Sequence, residues 1–319
     1  MQKALENVLG AIGNTPLVRL DRLVKAWGLD GTLYAKLEYL NPGFSKKDRI
    51  ALRMIEEAEQ SGRLVPGQAV VELTSGNTGT GLAIVCAVKG YPFTAVMSRG
   101  NSMERARMMA ALGAQVVLVA QAPGSSSGQV SGEDLELVEA ETRRIVREKN
   151  AFRADQFLLE GNIRAHEFGT GEEMWEQAEG RIDAFVDFAG TGGSFAGCTR
   201  ALKRHNPSIR CYVVEPDTAA WLAGKTITDP NHKIQGGGYS RDLPFIDPES
   251  VEDYLAVGSE DAAEGSRALA RWEGIFSGFS SGANLQAAVS LLRGREKGST
   301  VAFLVCDSGL KYLSTDLYS

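Results

Sequence analysis

Short runs of consecutive apolar residues alternate along this chain with longer stretches in which apolar residues recur at every third or fourth position. The short runs are rich in Val, Ile, Leu and Phe and are bounded by Gly, Pro, Ser and Asn. They predict strands at residues 70–73, 93–97, 115–119, 184–188, 211–214 and 301–305. The longer stretches predict helices at residues 78–89, 102–112, 134–148, 194–204, 262–273 and 283–292. Strands that alternate with helices in this way make an α/β protein with largely parallel twisted sheets. The strands read as unbroken apolar runs because parallel sheets are covered on both faces. No repeat of fixed period is present. The Gly- and Ser-rich stretch 121–132 is expected to be a flexible surface loop. A domain boundary is expected at residues 149–155, where a charged helical pattern ends.

Composition narrows the field. The chain has 319 residues, 43% of them hydrophobic and 23% charged, with a net charge of -6. That length supports one large or two modest cores. Both signs of charge are scattered, so no basic nucleic-acid footprint or polybasic membrane stretch is expected. The apolar runs are too short to span a bilayer, and the start has no secretory pattern. The four cysteines are widely spaced in apolar sequence. They are read as buried thiols, which fits a cytoplasmic location. The three histidines are isolated, so no metal site is expected.

Candidate chemistry sits in three Gly-rich turns and one lysine segment. The first turn is Thr74-Ser75-Gly76-Asn77-Thr78-Gly79, directly after a predicted strand. The second is Gly190-Thr191-Gly192-Gly193-Ser194, after another. The third, Gly278-Phe279-Ser280-Ser281-Gly282, precedes a helical pattern. Each offers backbone N–H groups and hydroxyls at a helix start, where a phosphate or carboxylate can bind. An ordinary strand-to-helix turn with a Ser or Thr cap accounts equally for any one alone. The lysine segment is Asn41-Pro42-Gly43-Phe44-Ser45-Lys46-Lys47-Asp48-Arg49. Basic residues in a first helical turn oppose the macrodipole, so this placement breaks a local rule.

Taken in order, these segments resemble the cysteine synthase and cystathionine β-synthase family, whose fold is that of the tryptophan-synthase-β-like enzymes. The opening Ile12-Gly13-Asn14-Thr15-Pro16-Leu17, Val214-Glu215-Pro216 and the terminal Asp307-Ser308-Gly309 with Tyr312-Leu313-Ser314-Thr315 complete the pattern. The resemblance covers nearly the whole chain. It implies pyridoxal 5'-phosphate as cofactor, with Lys47 as the Schiff-base lysine and the base that moves the Cα proton. It implies that Gly190, Thr191, Gly192, Gly193 and Ser194 bind the cofactor phosphate. Asn77 would meet the phenolic oxygen and Ser280 the pyridine nitrogen. Thr74, Ser75, Gly76, Thr78 and Gln156 would clamp the substrate carboxylate. The implied chemistry is β-replacement on a β-substituted alanine of the O-acetylserine, O-phosphoserine or serine type, through an aminoacrylate. A lyase that stops at elimination and a non-catalytic binding relative are the alternatives. The implied organisation is a smaller domain at 40–150, a larger one from 1–39 with 151–319, and a homodimer.

Some segments depart from the family pattern. Gly43 and Phe44 stand where relatives usually carry small residues. Residues 157–162 replace an Asn-Pro-x-Asn stretch. The loop 236–244, with Tyr239, Ser240, Arg241 and Asp242, replaces a small apolar loop. Tyr239 and Arg241 are therefore expected to bear on the choice of second substrate or leaving group. The other reading of the loop pairs Arg241 with Asp242 in solvent.

Overall fold

The computed structural model describes residues 4–125 and 130–319. Residues 126–129, within the expected 121–132 loop, lie outside the described residues. In chain order the strands are β1 (Leu17–Arg19), β2 (Thr32–Leu37), β3 (Val70–Leu73), β4 (Phe93–Ser98), β5 (Gln115–Val119), β6 (Phe152–Arg153), β7 (Ala184–Phe188), β8 (Arg210–Pro216), β9 (Asp253–Val257) and β10 (Thr300–Val305). The helices are α1 (Asp21–Ala26), α2 (Lys47–Gln60), α3 (Asn77–Lys89), α4 (Met103–Ala111), α5 (Gly132–Lys149), α6 (Gly161–Ala165), α7 (Glu172–Gln177), α8 (Gly193–His205), α9 (Ser259–Glu273) and α10 (Phe279–Arg293). A π-helical turn, His166–Gly171, joins α6 to α7.

The chain divides into two compact units. One is Met1–Gly13 with Asn41–Asn162, the other Asn14–Leu40 with Ile163–Ser319. The joint expected at 39/40 lies within one residue of the observed one, whereas Met1–Gly13 and residues 151–162 belong to the smaller unit, for local reasons. The Gly13 N–H donates to the Asn41 side chain at 2.8 Å, tying the first residues to the smaller unit. Strand β6 adds to the smaller sheet beside β3, with Val70 opposite Phe152, so the chain stays in that unit to Asn162.

The smaller unit holds a four-stranded parallel sheet in the order β5-β4-β3-β6. Val71, Val96, Val138 and Ile145 form part of its core between sheet and α5. Helix α5 starts at a reciprocal cap: the Ser131 hydroxyl accepts from the Asp134 N–H at 3.1 Å, and the Asp134 carboxylate accepts from the Ser131 N–H at 2.9 Å. The larger unit holds a six-stranded sheet in the order β1-β2-β10-β7-β8-β9, parallel except for β1. Leu33, Val186, Val214, Leu285 and Phe303 belong to its buried core.

Strand order fixes where a ligand can sit. In the smaller unit the sheet grows outward from β3 through β4 to β5, and β6 then adds on the other side of β3. In the larger unit β8 and β9 grow from one side of β7, and β10 returns to the other. Loops leaving the carboxyl ends of strands that flank such a reversal splay apart and open a crevice. The turns after β3 and β6 flank one reversal. The turns after β7 and β10 flank the other.

Candidate active-site residues

In the smaller unit the site begins with α2. Lys47 is its first residue, and the loop before it is held from several directions. Phe44 N–H donates to the Asn41 carbonyl at 2.8 Å, Lys47 N–H donates to the Ser45 hydroxyl at 3.3 Å, and Gly43 N–H donates to the Asp48 carboxylate. Asp48 is fully buried in the first helical turn, where an anion complements the macrodipole that the adjacent lysines oppose. Phe44 adopts φ 61°, left-handed for a bulky residue. That conformation costs roughly 1–2 kcal/mol and concentrates near functional segments. Lys46 is 6% exposed while Lys47 is half-buried.

The turn after β3 builds a set of directed donors. Thr74 Oγ1 accepts from the N–H groups of Gly76 and Gly79, both at 2.9 Å. Its lone pairs are thus engaged, and what it has left to give is its proton. Thr78 spends its own proton on Gln156 Oε1 at 2.6 Å. The Gln156 amide donates to the Leu73 carbonyl at 3.3 Å, which leaves its second N–H. The structure therefore joins Thr74, Gly76, Thr78 and Gln156 at the β3/β6 reversal. It gives Thr78 the part of orienting Gln156. Asn77 is the first residue of α3, and Gly81 of that helix packs on α2: a Cβ there would lie 3.0 Å from the Lys47 carbonyl oxygen.

Two residues behind this turn were not found from the sequence. Arg105, 1% exposed, donates to the Ser75 carbonyl at 2.9 Å and packs its stem where a Cβ on Gly76 would fall. Gly76 itself has φ 129°, so only glycine suits it. A readable signal was present, an arginine in the same helical stripe as Ala106 and Met109. Glu72 is fully buried and accepts the Gln156 N–H at 3.3 Å. Burial, reinforced by Asp155, pushes its carboxyl well above the ordinary carboxylate range despite Arg153 nearby.

In the larger unit the turn after β7 opens α8. Gly192 caps that helix at φ 84°, and no acidic residue occupies the first turn, so its N–H groups present an anion site. A Cβ on Gly190 would lie 2.7 Å from the Gly236 carbonyl, and one on Gly192 would lie 2.9 Å from Ile246. Thr191 and Ser194 are buried at 4% and 5% exposure. Ser280 stands in the first turn of α10, 7% exposed, and its hydroxyl has no hydrogen-bond partner among the described residues. The start of α10 is braced by the end of the chain: the Ser281 hydroxyl accepts the Cys306 N–H at 2.9 Å, the Gly278 N–H meets the Asp307 carbonyl at 3.2 Å, and Phe279 packs edge-on against Tyr312.

The loop 236–244 leans on the Gly190 turn through Gly236 and through Gly238 N–H, which reaches the Ala189 carbonyl at 3.3 Å. Tyr239 is half-buried and Arg241 exposed. Asp242 accepts from the Trp221 indole N–H at 2.8 Å. Ser240 is held at φ 51°. His232 Nε2 meets the Gly238 carbonyl at 3.1 Å, and burial holds its pKa below the usual imidazole value. The four cysteines are buried and form no disulfide among the described residues, with the Cys86 thiol pushed up to about 12 by burial. Among the described residues no group of His, Cys, Asp and Glu could hold a metal, and no helix is long and apolar enough to cross a membrane.

The residues fit pyridoxal phosphate: an acid-free helix start with a glycine cradle that any Cβ would fill, and a buried serine hydroxyl with no partner among the described residues. Comparison with known proteins agrees. Residues 8–307 match the family described as pyridoxal-phosphate dependent enzyme. A cysteine synthase of Staphylococcus aureus is 41% identical over 320 residues, spanning 100% of this chain and 98% of the relative. Among solved structures, a hydrogen sulfide-producing enzyme from Fusobacterium nucleatum is 37% identical with TM-score 0.89, covering 97% of this chain and 100% of that one. An O-ureido-L-serine synthase is 35% identical with TM-score 0.88, covering 99% and 96%. The chain belongs to the family of pyridoxal-phosphate dependent enzymes, in its cysteine synthase group.

Proposed function

We propose that the chain catalyses β-replacement on a β-substituted alanine such as O-acetylserine: the β-substituent leaves and a small nucleophile takes its place. The observation that carries this is the donor set after β3. Thr74 has a proton to give, Ser75 lies beside it, and Gln156 keeps one N–H, all at the start of a helix packed on the Lys47 turn. Such a set suits the carboxylate of a free amino acid. Lys47 Nζ is the group that would hold the cofactor's aldehyde carbon and take the proton from the substrate Cα. Pyridoxal phosphate, when bound, supplies the electron sink that makes this proton removable. The Gly190–Ser194 turn would take its phosphate, Asn77 its phenolic oxygen and Ser280 its ring nitrogen. A serine hydroxyl at that nitrogen offers a hydrogen bond without the charge of a carboxylate. This weakens the electron sink and favours early departure of the β-group.

The test is to supply O-acetylserine, O-phosphoserine and serine to the holoenzyme, each with sulfide or a small thiol or amine, and to identify the amino-acid product. A new β-substituted alanine supports replacement. Pyruvate and ammonia as sole products, at the same rate with and without nucleophile, would establish the lyase reading. That second reading draws on the similarity to the hydrogen sulfide-producing enzyme. The fold family and the buried thiols support a cytoplasmic homodimer that takes small molecules as partners. Sedimentation of the holoenzyme at the mass of one chain would overturn the dimer.

Specificity is proposed to lie in the loop 236–244. Tyr239 is half-buried and Arg241 exposed on a loop that touches the Gly190 turn. The solvent pairing of Arg241 with Asp242 has a competitor, because Asp242 already accepts from Trp221. A guanidinium there can hold an anionic second substrate or leaving group. Arg241→Ala is expected to lower kcat/KM for charged second substrates by roughly 10- to 100-fold, the value of a charge-assisted contact, and to spare uncharged ones. Equal change for both classes would make Arg241 a solvated surface residue.

A further inference from the structure

Strand β7 crosses the middle of an apolar sheet, yet its fourth residue is Asp187, 0% exposed. A carboxylate in such a place must be met by donors. Ser194 Oγ donates to Asp187 Oδ2 at 2.5 Å, and Asn284 Nδ2 donates to Oδ1 at 3.3 Å. The same Asn284 amide holds the Leu304 carbonyl at 2.9 Å, at the end of β10. The Cys306 thiol lies 3.8 Å from Oδ1. Ser194 closes the Gly-Thr-Gly-Gly-Ser turn, and Asn284 lies four residues, about one helical turn, beyond Ser280 on α10. One buried carboxylate therefore joins the turn after β7 to the helix that carries Ser280.

A serine hydroxyl carries one proton. Given to a carboxylate at 2.5 Å, that proton is not available to a phosphate. We propose that Asp187 is a positioning residue of the cofactor site, taking the Ser194 hydroxyl proton and the Asn284 amide so that the phosphate turn and the Ser280 helix are tied together. Ser194 then serves a phosphate through its backbone N–H, while its hydroxyl belongs to the brace. This rests on the reading of Gly190–Ser194 as the phosphate turn.

Holoenzymes of the wild type, Ser194→Ala, Asp187→Ala and the double variant distinguish the roles. The readouts are cofactor dissociation constant, phosphorus NMR of the bound cofactor, and melting temperature. Ser194→Ala is expected to lower the melting temperature, because Asp187 loses a donor. It should leave the phosphorus resonance in place and the dissociation constant within about fivefold, since a lost charge-assisted contact would exceed tenfold. Asp187→Ala frees the Ser194 hydroxyl to turn toward the phosphate, so the resonance moves. Adding Ser194→Ala to it removes that movement. The proposal is overturned if Ser194→Ala alone shifts the resonance or weakens the cofactor beyond that limit. Should Asp187→Ala yield no folded holoenzyme, the Ser194→Ala result decides alone. Gly192→Ala serves as the separate check on the phosphate turn: a dissociation constant unchanged in that variant sinks the turn assignment itself, whatever Ser194 shows.

Discussion

Lys47→Ala is expected to lower turnover by at least about 10³-fold while the protein keeps its fold. A positioned general base alone contributes about 10²–10⁴-fold, and Lys47 is also the proposed attachment point for the cofactor. Two local effects favour a kept fold. Alanine is the better helix former by a few tenths of a kcal/mol. Removing a cation from the first turn also relieves its opposition to the helix dipole. The measurement is turnover alongside a thermal melt, with Lys46→Ala as comparison. Consecutive helical residues point about 100° apart, so only one lysine can serve. Near-normal turnover in Lys47→Ala, or loss confined to the Lys46 variant, would falsify the assignment.

Gly282→Ala is expected to be the most damaging single methyl group in the larger unit. A Cβ at 282 would fall on the Ala262 carbonyl and within 2.5 Å of the Ser266 N–H nitrogen and hydroxyl on α9. The reverse contact is as close, since a Cβ at Gly265 would lie 2.8 Å from the Gly282 carbonyl carbon. These obstacles are backbone, and backbone cannot step aside as a side-chain tip can. Overpacking usually costs about 1–3 kcal/mol and here should reach the upper end or beyond. For a unit of this size that is on the order of 10 °C in melting temperature. A melt by circular dichroism checks it, and a melting point that does not drop would mean that α9 and α10 separate freely.

The parallel strands were legible because they are covered on both faces. Residues 70–73, 115–119 and 184–188 are strands with the expected bounds. Strand β2 escaped notice because Lys36 interrupts its apolar run. That lysine is 0% exposed and is satisfied by the Thr15 carbonyl at 2.6 Å, Gln177 at 2.9 Å and Glu173 at 2.7 Å. No local rule announces a buried cation two of whose three partners lie more than a hundred residues away. Strand β9 is a partly exposed edge and β6 only two residues long, so neither carried a pattern. Helix α10 begins at Phe279 rather than residue 283, because a Gly-Phe-Ser-Ser-Gly string reads as a turn until Ser281 and Gly282 are seen packed against α9 and the end of β10.

The site was legible as a set of motifs and not as a division of labour. The family resemblance grouped Thr74, Thr78 and Gln156, but only hydrogen-bond direction separates the hydroxyl that still has a proton from the one that has given it away. Arg105 and Glu72 stand behind those groups, where sequence spacing carries no information about which backbone atom is being held. The acidic residue inside the apolar string Ala184–Phe188 was the visible anomaly that the motif reading passed over.

The paired glycines of α9 and α10 have a consequence for how this chain can vary. Most core positions admit several hydrophobic letters if volume is shared with a neighbour. Positions 265 and 282 cannot trade with each other in that way, because Gly265 is pressed against the main chain of Gly282, and Gly282 against that of Ala262 and Ser266. A saturation library screened for folded protein should therefore return a single accepted letter at both, and no second-site suppressor within the pair. Changes around Ser280 therefore have a fixed seam between α9 and α10 to work around.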